Sequence, residues 1–128
     1  LRHSGAGRNP YFKISNNDSV QGLNNIELFV FSVILAPFIE TLFFLFVPMK
    51  IFENRNINKI GVGIVATILF ALTHCYSLNY VFFSFFMGLY LLFAFFLFTR
   101  KTNINTAFWA VSVVHLLNNL YFFLLATF

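Results

Sequence analysis

Apolar residues form long uninterrupted stretches along most of this 128-residue chain. Between 28 and 49 the single charged residue is Glu40, and the stretches 60–99 and 103–128 contain none. Each stretch reaches the roughly 20 residues that cross a hydrocarbon core about 30 Å thick, and the middle one is long enough to cross twice. The pattern therefore predicts four membrane spans, at 28–47, 61–76, 79–98 and 106–127.

Helices are the expected form of these spans. Their continuous runs of Phe, Leu, Ile and Val differ from the short alternating segments of a membrane β-barrel, and a helix satisfies its own backbone hydrogen bonds in lipid. The break between the second and third spans rests only on the polar sequence at 77–80. We therefore expect an all-α, polytopic transmembrane helix bundle of about four spans, forming one domain over 26–128.

Composition supports a membrane protein and sets the N-terminal segment apart. Apolar residues make up 59% of the chain and charged residues 9%, against about 45–50% and about 25% in soluble domains. Residues 1–25 are instead rich in Gly, Ser, Asn and basic residues, which predicts a polar, disordered segment. Because the chain begins at Leu1 without a methionine, we expect either a fragment or an unusual translation start.

The distribution of basic residues predicts the orientation of the spans. The net charge of +4 comes from residues sorted by loop and not gathered on one face, which argues against a nucleic-acid partner. Basic loops stay in the cytoplasm, so we place 48–60 and 99–105 there, although basic residues before the first span argue mildly for the opposite orientation. The loop residues are Lys50, Arg55, Lys59, Arg100 and Lys101.

A few polar side chains inside the spans need an explanation. A carboxylate at membrane depth costs about 2.5–3.5 kcal/mol on insertion scales, so Glu40 needs an interior partner. His74 lies near the end of the second span. His115 lies between Ser112 and Asn119 on one polar stripe of the fourth span. If the three helices pack together, a carboxylate, two imidazoles and an amide converge.

Two kinds of chemistry suit this set. A carboxylate can take a proton from water while a histidine assists and a histidine–asparagine pair stabilises an oxyanion, which gives amide hydrolysis. Alternatively, Glu40, His74 and His115 are three zinc ligands that leave a fourth position for water. Spacing does not separate these alternatives, because the residues lie on different helices and form no compact metal motif. The single Cys75 excludes a multi-cysteine metal site.

The same polar residues also have structural interpretations. Glu40 could be a buried structural carboxylate that bonds to another helix. Asn118 and Asn119 could bond across helices, each contributing about 0.6 kcal/mol. Ser84 and Gly88 lie four residues apart, which predicts a close-packing surface on the third span.

Two features bear on whether the polar residues meet. Pro37, one turn before Glu40, predicts a kink that opens backbone groups toward the site. At about 1.5 Å of rise per residue, Glu40 and His115 fall near mid-membrane, but His74 lies nearer the outer end of its span. Convergence therefore requires tilted helices or a shifted boundary.

Three segments resemble the motif series of the CPBP intramembrane proteases. APFIETLFF at 36–44, FALTH at 70–74 and HLLNN at 115–119 follow, in order, the family patterns EExxxR, FxxxH and HxxxN. The family includes CAAX prenyl endopeptidases and bacteriocin-processing or self-immunity proteins. The resemblance therefore implies an intramembrane endopeptidase of the bacterial cell membrane, acting on a peptide or membrane-protein substrate, with prenylated substrates included.

The resemblance implies a role for each matching residue. Glu40 is the base that activates water, His74 assists it, and His115 with Asn119 forms the oxyanion-stabilising pair. The family mechanism is usually described as metal-independent, so the resemblance implies no cofactor, with zinc on Glu40, His74 and His115 as the alternative. Membrane lipid is the other expected partner.

Two positions depart from the family pattern. Thr41 stands where the family has its second Glu, and Leu45 where it has Arg. Such positions lie four apart on a helix and can pair, so losing both removes a pair without stranding either charge. The alternative function is a catalytically impaired CPBP-like protein that acts in bacteriocin self-immunity or partner binding. A transporter finds little support, because no inverted repeat is visible.

Overall fold

A computed structural model describes residues 24–128, and this part of the chain is all-α, without strands. The all-α prediction is confirmed. The predicted polar segment 1–25 lies outside the described residues except for Asn24, which caps the first helix, and Asn25, which begins it. The helices are α1 (Asn25–Ile51), α2 (Lys59–Leu72), α3 (Leu78–Lys101) and α4 (Ile104–Thr127).

The four helices differ in length. By length and composition, α1, α3 and α4 can each cross a membrane, with 27, 24 and 24 residues. Helix α2 has 14 residues, or about 21 Å at 1.5 Å per residue, which is shorter than a hydrocarbon core of about 30 Å. The predicted second span, 61–76, is therefore wrong at its end, because its helix stops at Leu72.

Polar side chains lie at the end of α2 and at the start of α3. The Thr73 hydroxyl donates to the carbonyl of Phe70 at 2.6 Å, at the last turn of α2. Ser77 is the N-cap of α3, and its hydroxyl oxygen accepts the N–H of Tyr80 at 3.2 Å. Because a serine side chain satisfies a free N–H at a helix start, Ser77 begins α3. The turn therefore lies at 73–77 and not at 77–80 as the sequence predicted.

Helix α1 contains two wider, π-helical stretches, Val30–Leu35 and Leu42–Phe46. Each stretch ends two residues before a proline, Pro37 or Pro48. A proline ring clashes with the carbonyl four residues earlier, and a local π turn is one way in which a helix accommodates such a break. The section Ala36–Thr41 is ordinary α-helix between the two wider turns.

Helices α2 and α3 approach closely at two glycines. A Cβ on Gly88 would lie 2.7 Å from Thr67 Cγ2, and a Cβ on Gly63 would lie 2.5 Å from Leu92 Cδ1. Ser84, one turn before Gly88, is also buried. The predicted close-packing surface of the third span is confirmed, because small residues let two backbones come together in lipid.

A buried apolar cluster joins α1, α3 and α4 on the side of the bundle where the basic loops lie. Its contacts are packing contacts, since lipid provides no hydrophobic driving force between helices. The exposed ion pair between Lys50, in the last turn of α1, and Glu53, at 2.8 Å, lies at the same end. The cytoplasmic location of this end stays a prediction. The cluster consists of Leu45, Met49, Leu91, Leu92, Phe95, Ile104, Ala107 and Val111.

Candidate active site

The structure brings Glu40, His74 and His115 together from α1, the α2–α3 turn and α4. Glu40 Oε1 lies 3.6 Å from His74 Nε2, and Glu40 Oε2 lies 3.4 Å from His115 Nε2. The side chains of Glu40, His74 and His115 are 22%, 17% and 6% exposed. A carboxylate in a membrane helix thus has two interior partners, as its cost in lipid requires. Their catalytic roles stay predictions.

The short α2 helix explains how His74 reaches the carboxylate. The sequence places His74 inside a span and nearer its outer end than the other two residues. Because α2 ends at Leu72, His74 belongs to the following turn and not to a helix that continues past Glu40. The shifted boundary therefore removes the mismatch in depth.

The hydrogen bonds of His74 determine which ring nitrogen carries its proton. Nδ1 lies 2.9 Å from the Phe70 carbonyl oxygen and 3.1 Å from Thr73 Oγ1. The Thr73 hydrogen is already donated to the Phe70 carbonyl, so both neighbours of Nδ1 are acceptors. This network assigns a proton to Nδ1. Nε2 therefore faces Glu40 Oε1 as a lone pair in the neutral ring, at 3.6 Å, and the two groups attract each other when one further proton lies between them.

Phe70 packs against both histidines. Its ring centroid lies 4.6 Å from that of His74 and 6.1 Å from that of His115. Its ring centroid also lies 5.6 Å from that of Phe44 on α1. Phe70 is buried, so its ring and its carbonyl together fix the position of His74. The phenylalanine of the FxxxH pattern is thus part of the wall of the site.

A small cavity adjoins Glu40 and His115. It offers about 10 Å³ to the centre of a water molecule, which is near the minimum that holds one water. Its polar groups come from α1, α2 and α4. The lining residues are Glu40, Thr41, Phe44, Leu45, Thr67, Phe70, Gly88, Leu91 and His115.

Thr41 and Leu45, the two departures from the family pattern, are both buried. Thr41 is 1% exposed, and its Oγ1 lies 3.2 Å from His115 Nδ1. Leu45 packs in the apolar cluster. Neither position leaves a charge unpaired. Sequence reasoning treated Thr41 only as a missing carboxylate. The sequence feature that points to its contact with His115 is a hydroxyl directly after the predicted base, Glu40.

Asn119 contacts α1 one turn of α4 beyond His115. Its amide Nδ2 donates to the carbonyl of Ser32 at 3.0 Å. In the π-helical register, the Ala36 N–H donates to the carbonyl five residues earlier, that of Phe31. The next residue, Pro37, has no N–H, so the Ser32 carbonyl lacks a backbone donor. Asn119 supplies the missing donor. Backbone opened by Pro37 was expected, but Asn119 as its partner was not.

Asn119 and Asn118 differ in the hydrogen bonds of their side-chain amides. Among the described residues, no hydrogen bond joins Asn119 to Glu40 or to either histidine. The cross-helix bond expected for Asn119 is present. Asn118 Nδ2 is buried without a partner in the described part of the chain. The oxyanion role of Asn119 stays a prediction.

The zinc alternative on Glu40, His74 and His115 stays a prediction. His74 and His115 face opposite oxygens of the Glu40 carboxylate, so each imidazole has a carboxylate oxygen to itself. Within residues 24–128, no group of three or more His, Cys, Asp or Glu side chains is arranged to hold a metal ion. The metal-independent mechanism stays a prediction.

Residues 22–121 match the family model described as type II CAAX prenyl endopeptidase Rce1-like. The matched region includes all four residues that the motif series selected. Comparison with curated protein sequences gives no match, and comparison with solved structures gives none. With three apolar helices of membrane length, the chain is an integral membrane protein that belongs to the Rce1-like type II CAAX prenyl endopeptidases of the CPBP family.

Proposed function

We propose that this protein is an intramembrane endopeptidase in which Glu40 activates water for attack on a peptide bond. The observation that carries the proposal is the placement of two Nε2 atoms, at 3.4 and 3.6 Å, on the two oxygens of one membrane carboxylate. General acid–base catalysis needs groups that accept and return protons within reach of each other. A structural carboxylate needs one partner, whereas this one has two imidazoles and a water-sized cavity.

The reaction begins with one water beside Glu40. The carboxylate accepts a proton as the water oxygen attacks the scissile carbonyl carbon. Negative charge then develops on the carbonyl oxygen, and the Nε2–H of His115, with the amide of Asn119 once substrate is bound, donates to it. Asn119 reaches the oxyanion only by exchanging its bond to Ser32.

Collapse of the tetrahedral intermediate requires a proton on the leaving nitrogen. Glu40 holds the proton taken from water, and His74 shares a proton with Glu40 through Nε2. Because His74 Nδ1 is fixed on the Phe70 carbonyl, the ring presents Nε2 to the carboxylate throughout. The proton passes to the amine, the C–N bond breaks, and Glu40 returns to its starting state. No step involves a metal.

The family supplies the class of substrate to test first. Its description as CAAX prenyl endopeptidases supports a peptide or membrane-protein substrate, beginning with prenylated peptides, and a bacterial cell membrane is the location we propose. The family match does not favour the non-catalytic alternative in bacteriocin self-immunity. The retained pairing of Glu40 also argues against it.

New protein N-termini in membranes test the proposal without a guessed substrate. Cells express the native protein, Glu40→Gln or Glu53→Gln. The last is a matched control, because Glu53 lies in the turn after α1, outside the site, and its carboxylate pairs with Lys50. We expect specific cleavage products with the native protein and Glu53→Gln, and a loss of about 100- to 10,000-fold with Glu40→Gln. Equal profiles at equal accumulation and unfolding temperature contradict the proposal.

Zinc analysis tests the metal-independent step separately. We expect purified protein to carry no stoichiometric zinc and to keep its activity in a chelator. Stoichiometric zinc that disappears with His74→Ala or His115→Ala overturns that step.

A further inference from the structure

The hydroxyl of Thr41 contacts Nδ1 of His115, the ring nitrogen that faces away from the carboxylate, and the Pro37 backbone is a further hydrogen-bonding partner of the ring. Its Oγ1 lies 3.2 Å from Nδ1, while Nε2 of the same ring lies 3.4 Å from Glu40 Oε2. Thr41 is 1% exposed and His115 is 4% exposed. The ring is thus held by Glu40, Thr41 and the Pro37 backbone, and the position of its proton, on Nδ1 or Nε2, decides what it can donate.

The described hydroxyls of this chain show why Thr41 is free to donate. In a helix, Ser and Thr commonly donate to the carbonyl four residues earlier. Ser32, Thr67 and Thr102 do so, at 2.6, 2.9 and 2.7 Å. Thr41 makes no such bond in the described part of the chain, and its hydroxyl meets His115 instead. Its hydrogen is therefore available to Nδ1.

The protons and charges of the site also favour donation from the Thr41 hydroxyl to His115 Nδ1. His74 carries its proton on Nδ1, and one further proton between its Nε2 and Glu40 makes that pair neutral. If His115 also carried its proton on Nδ1, its Nε2 lone pair would face a carboxylate oxygen at 3.4 Å. A second shared proton would instead leave a net positive charge in a buried membrane site, which is costly. A proton on His115 Nε2 avoids both a lone pair that faces the carboxylate and a net positive charge.

We propose that Thr41 is a positioning residue that donates to His115 Nδ1 and thereby keeps the proton of the neutral ring on Nε2. The Nε2–H is then directed to the carboxylate at rest and is the donor available to the oxyanion during hydrolysis. This inference rests on the proposed function for its catalytic consequence. Its structural content, the tautomer of His115, stands independently of any reaction.

Thr41→Val removes the hydroxyl with nearly the same shape, and Thr41→Ser keeps it. The first readout is nitrogen NMR of histidine-labelled protein in lipid nanodiscs. We expect the native protein and Thr41→Ser to show His115 with Nε2 protonated and Nδ1 not, and Thr41→Val to show a mixture of both forms. A protonated Nδ1 in the native protein overturns the proposal, whether or not either variant folds. An unchanged spectrum in folded Thr41→Val also overturns it.

The second readout is cleavage of a farnesylated peptide that ends in a CAAX sequence. Losing one hydrogen bond that selects the tautomer lowers kcat about tenfold, and KM should stay near its native value. Thr41→Ser should restore kcat. A native kcat in folded Thr41→Val contradicts the positioning role. If the native protein cleaves nothing while the NMR tautomer still depends on the hydroxyl, the proposed function fails and the assignment of Thr41 holds.

Discussion

Helices α2 and α3 are joined by close approach, whereas α1 and α4 are joined by side chains that bond across their interface. Between α2 and α3, Gly63 and Gly88 face side chains of the opposite helix with no room for a Cβ. The buried hydroxyl of Thr67 donates to the Gly63 carbonyl of its own helix at 2.9 Å. The polar group in this interface is thus satisfied without a partner on α3.

Polar contacts cross the α1–α4 interface. Thr41 meets His115 at 3.2 Å, and Asn119 donates to Ser32 at 3.0 Å. Aromatic pairs also cross this interface, with Phe29 and Phe123 at 5.2 Å and Phe38 and Trp109 at 5.4 Å, measured between ring centroids.

The difference assigns separate tasks to the two interfaces. Between helices in lipid, association depends on packing and on interhelical hydrogen bonds. The α2–α3 pair uses packing and brings the turn with His74 to a fixed position. The α1–α4 pair uses hydrogen bonds and holds Glu40 against His115. Variants can therefore damage one interface and leave the other intact.

Gly88→Ala should have the largest effect on stability. The new Cβ would lie 2.7 Å from Thr67 Cγ2 and 3.1 Å from Phe70 Cδ1, and both atoms belong to side chains that line the cavity. Overpacking of this kind lowers the free energy of unfolding by about 1–3 kcal/mol. Denaturant titration in detergent micelles measures the change, and activity should fall with it.

Two other glycines provide matched controls. Gly63→Ala should cost less, because its new Cβ meets Leu92 and Met49 at the ends of flexible side chains. Gly61→Ala should leave stability unchanged or raise it by about 0.5–1 kcal/mol, since the nearest atom is 3.6 Å away. An equal loss in all three variants would show that the close approach is not what joins α2 to α3.

Asn119→Ala should have a smaller effect, confined to the α1–α4 interface. Cross-helix hydrogen bonds in membranes contribute about 0.6 kcal/mol on average and about 1.7 kcal/mol at most. Asn118→Ala is the control, because the Asn118 amide nitrogen has no partner among the described residues. The same denaturant titration compares the two variants. A loss for Asn118→Ala equal to that for Asn119→Ala contradicts the assignment.

Pro37→Ala sharpens this test. It returns an N–H to the position that, in the π-helical register, serves the Ser32 carbonyl. Asn119→Ala should therefore cost less in the Pro37→Ala background than in the native protein, which a double-mutant cycle measures as a coupling energy. Additive effects would show that proline did not free this carbonyl.

Chemical modification of the Cys75 thiol should show whether the α2–α3 turn is exposed to water, and it should leave the stability of the protein unchanged. The residue is exposed, and the turn follows a helix only about 21 Å long. Irregular backbone at membrane depth is tolerated where protein buries it or where it lines a water-filled cavity. We expect a membrane-impermeant thiol reagent to modify Cys75 in intact membranes, with Cys75→Ser as the blank. Reaction with a lipophilic maleimide alone contradicts a water-filled turn.

Sequence pattern determined the all-α architecture, the three long spans and the residues worth examining. Long uncharged stretches have few structural solutions in lipid, because the backbone must satisfy its own hydrogen bonds. A carboxylate in such a stretch is costly enough to stand out, and the motif series added His74, His115 and Asn119. Spacing also indicated the close approach at Gly88.

Only the tertiary structure decided which of these groups meet. Thr41 and His115 are 74 residues apart in the chain, and helical periodicity gives the face of a residue but not its register against another helix. Helix α2 ends at Leu72, beside the Thr73 hydrogen bond, and that end sets the reach of His74. Asn119 donates to the Ser32 carbonyl, which Pro37 leaves without a backbone donor. Residues on two different helices together determine this hydrogen bond, so the sequence of either helix alone does not predict it.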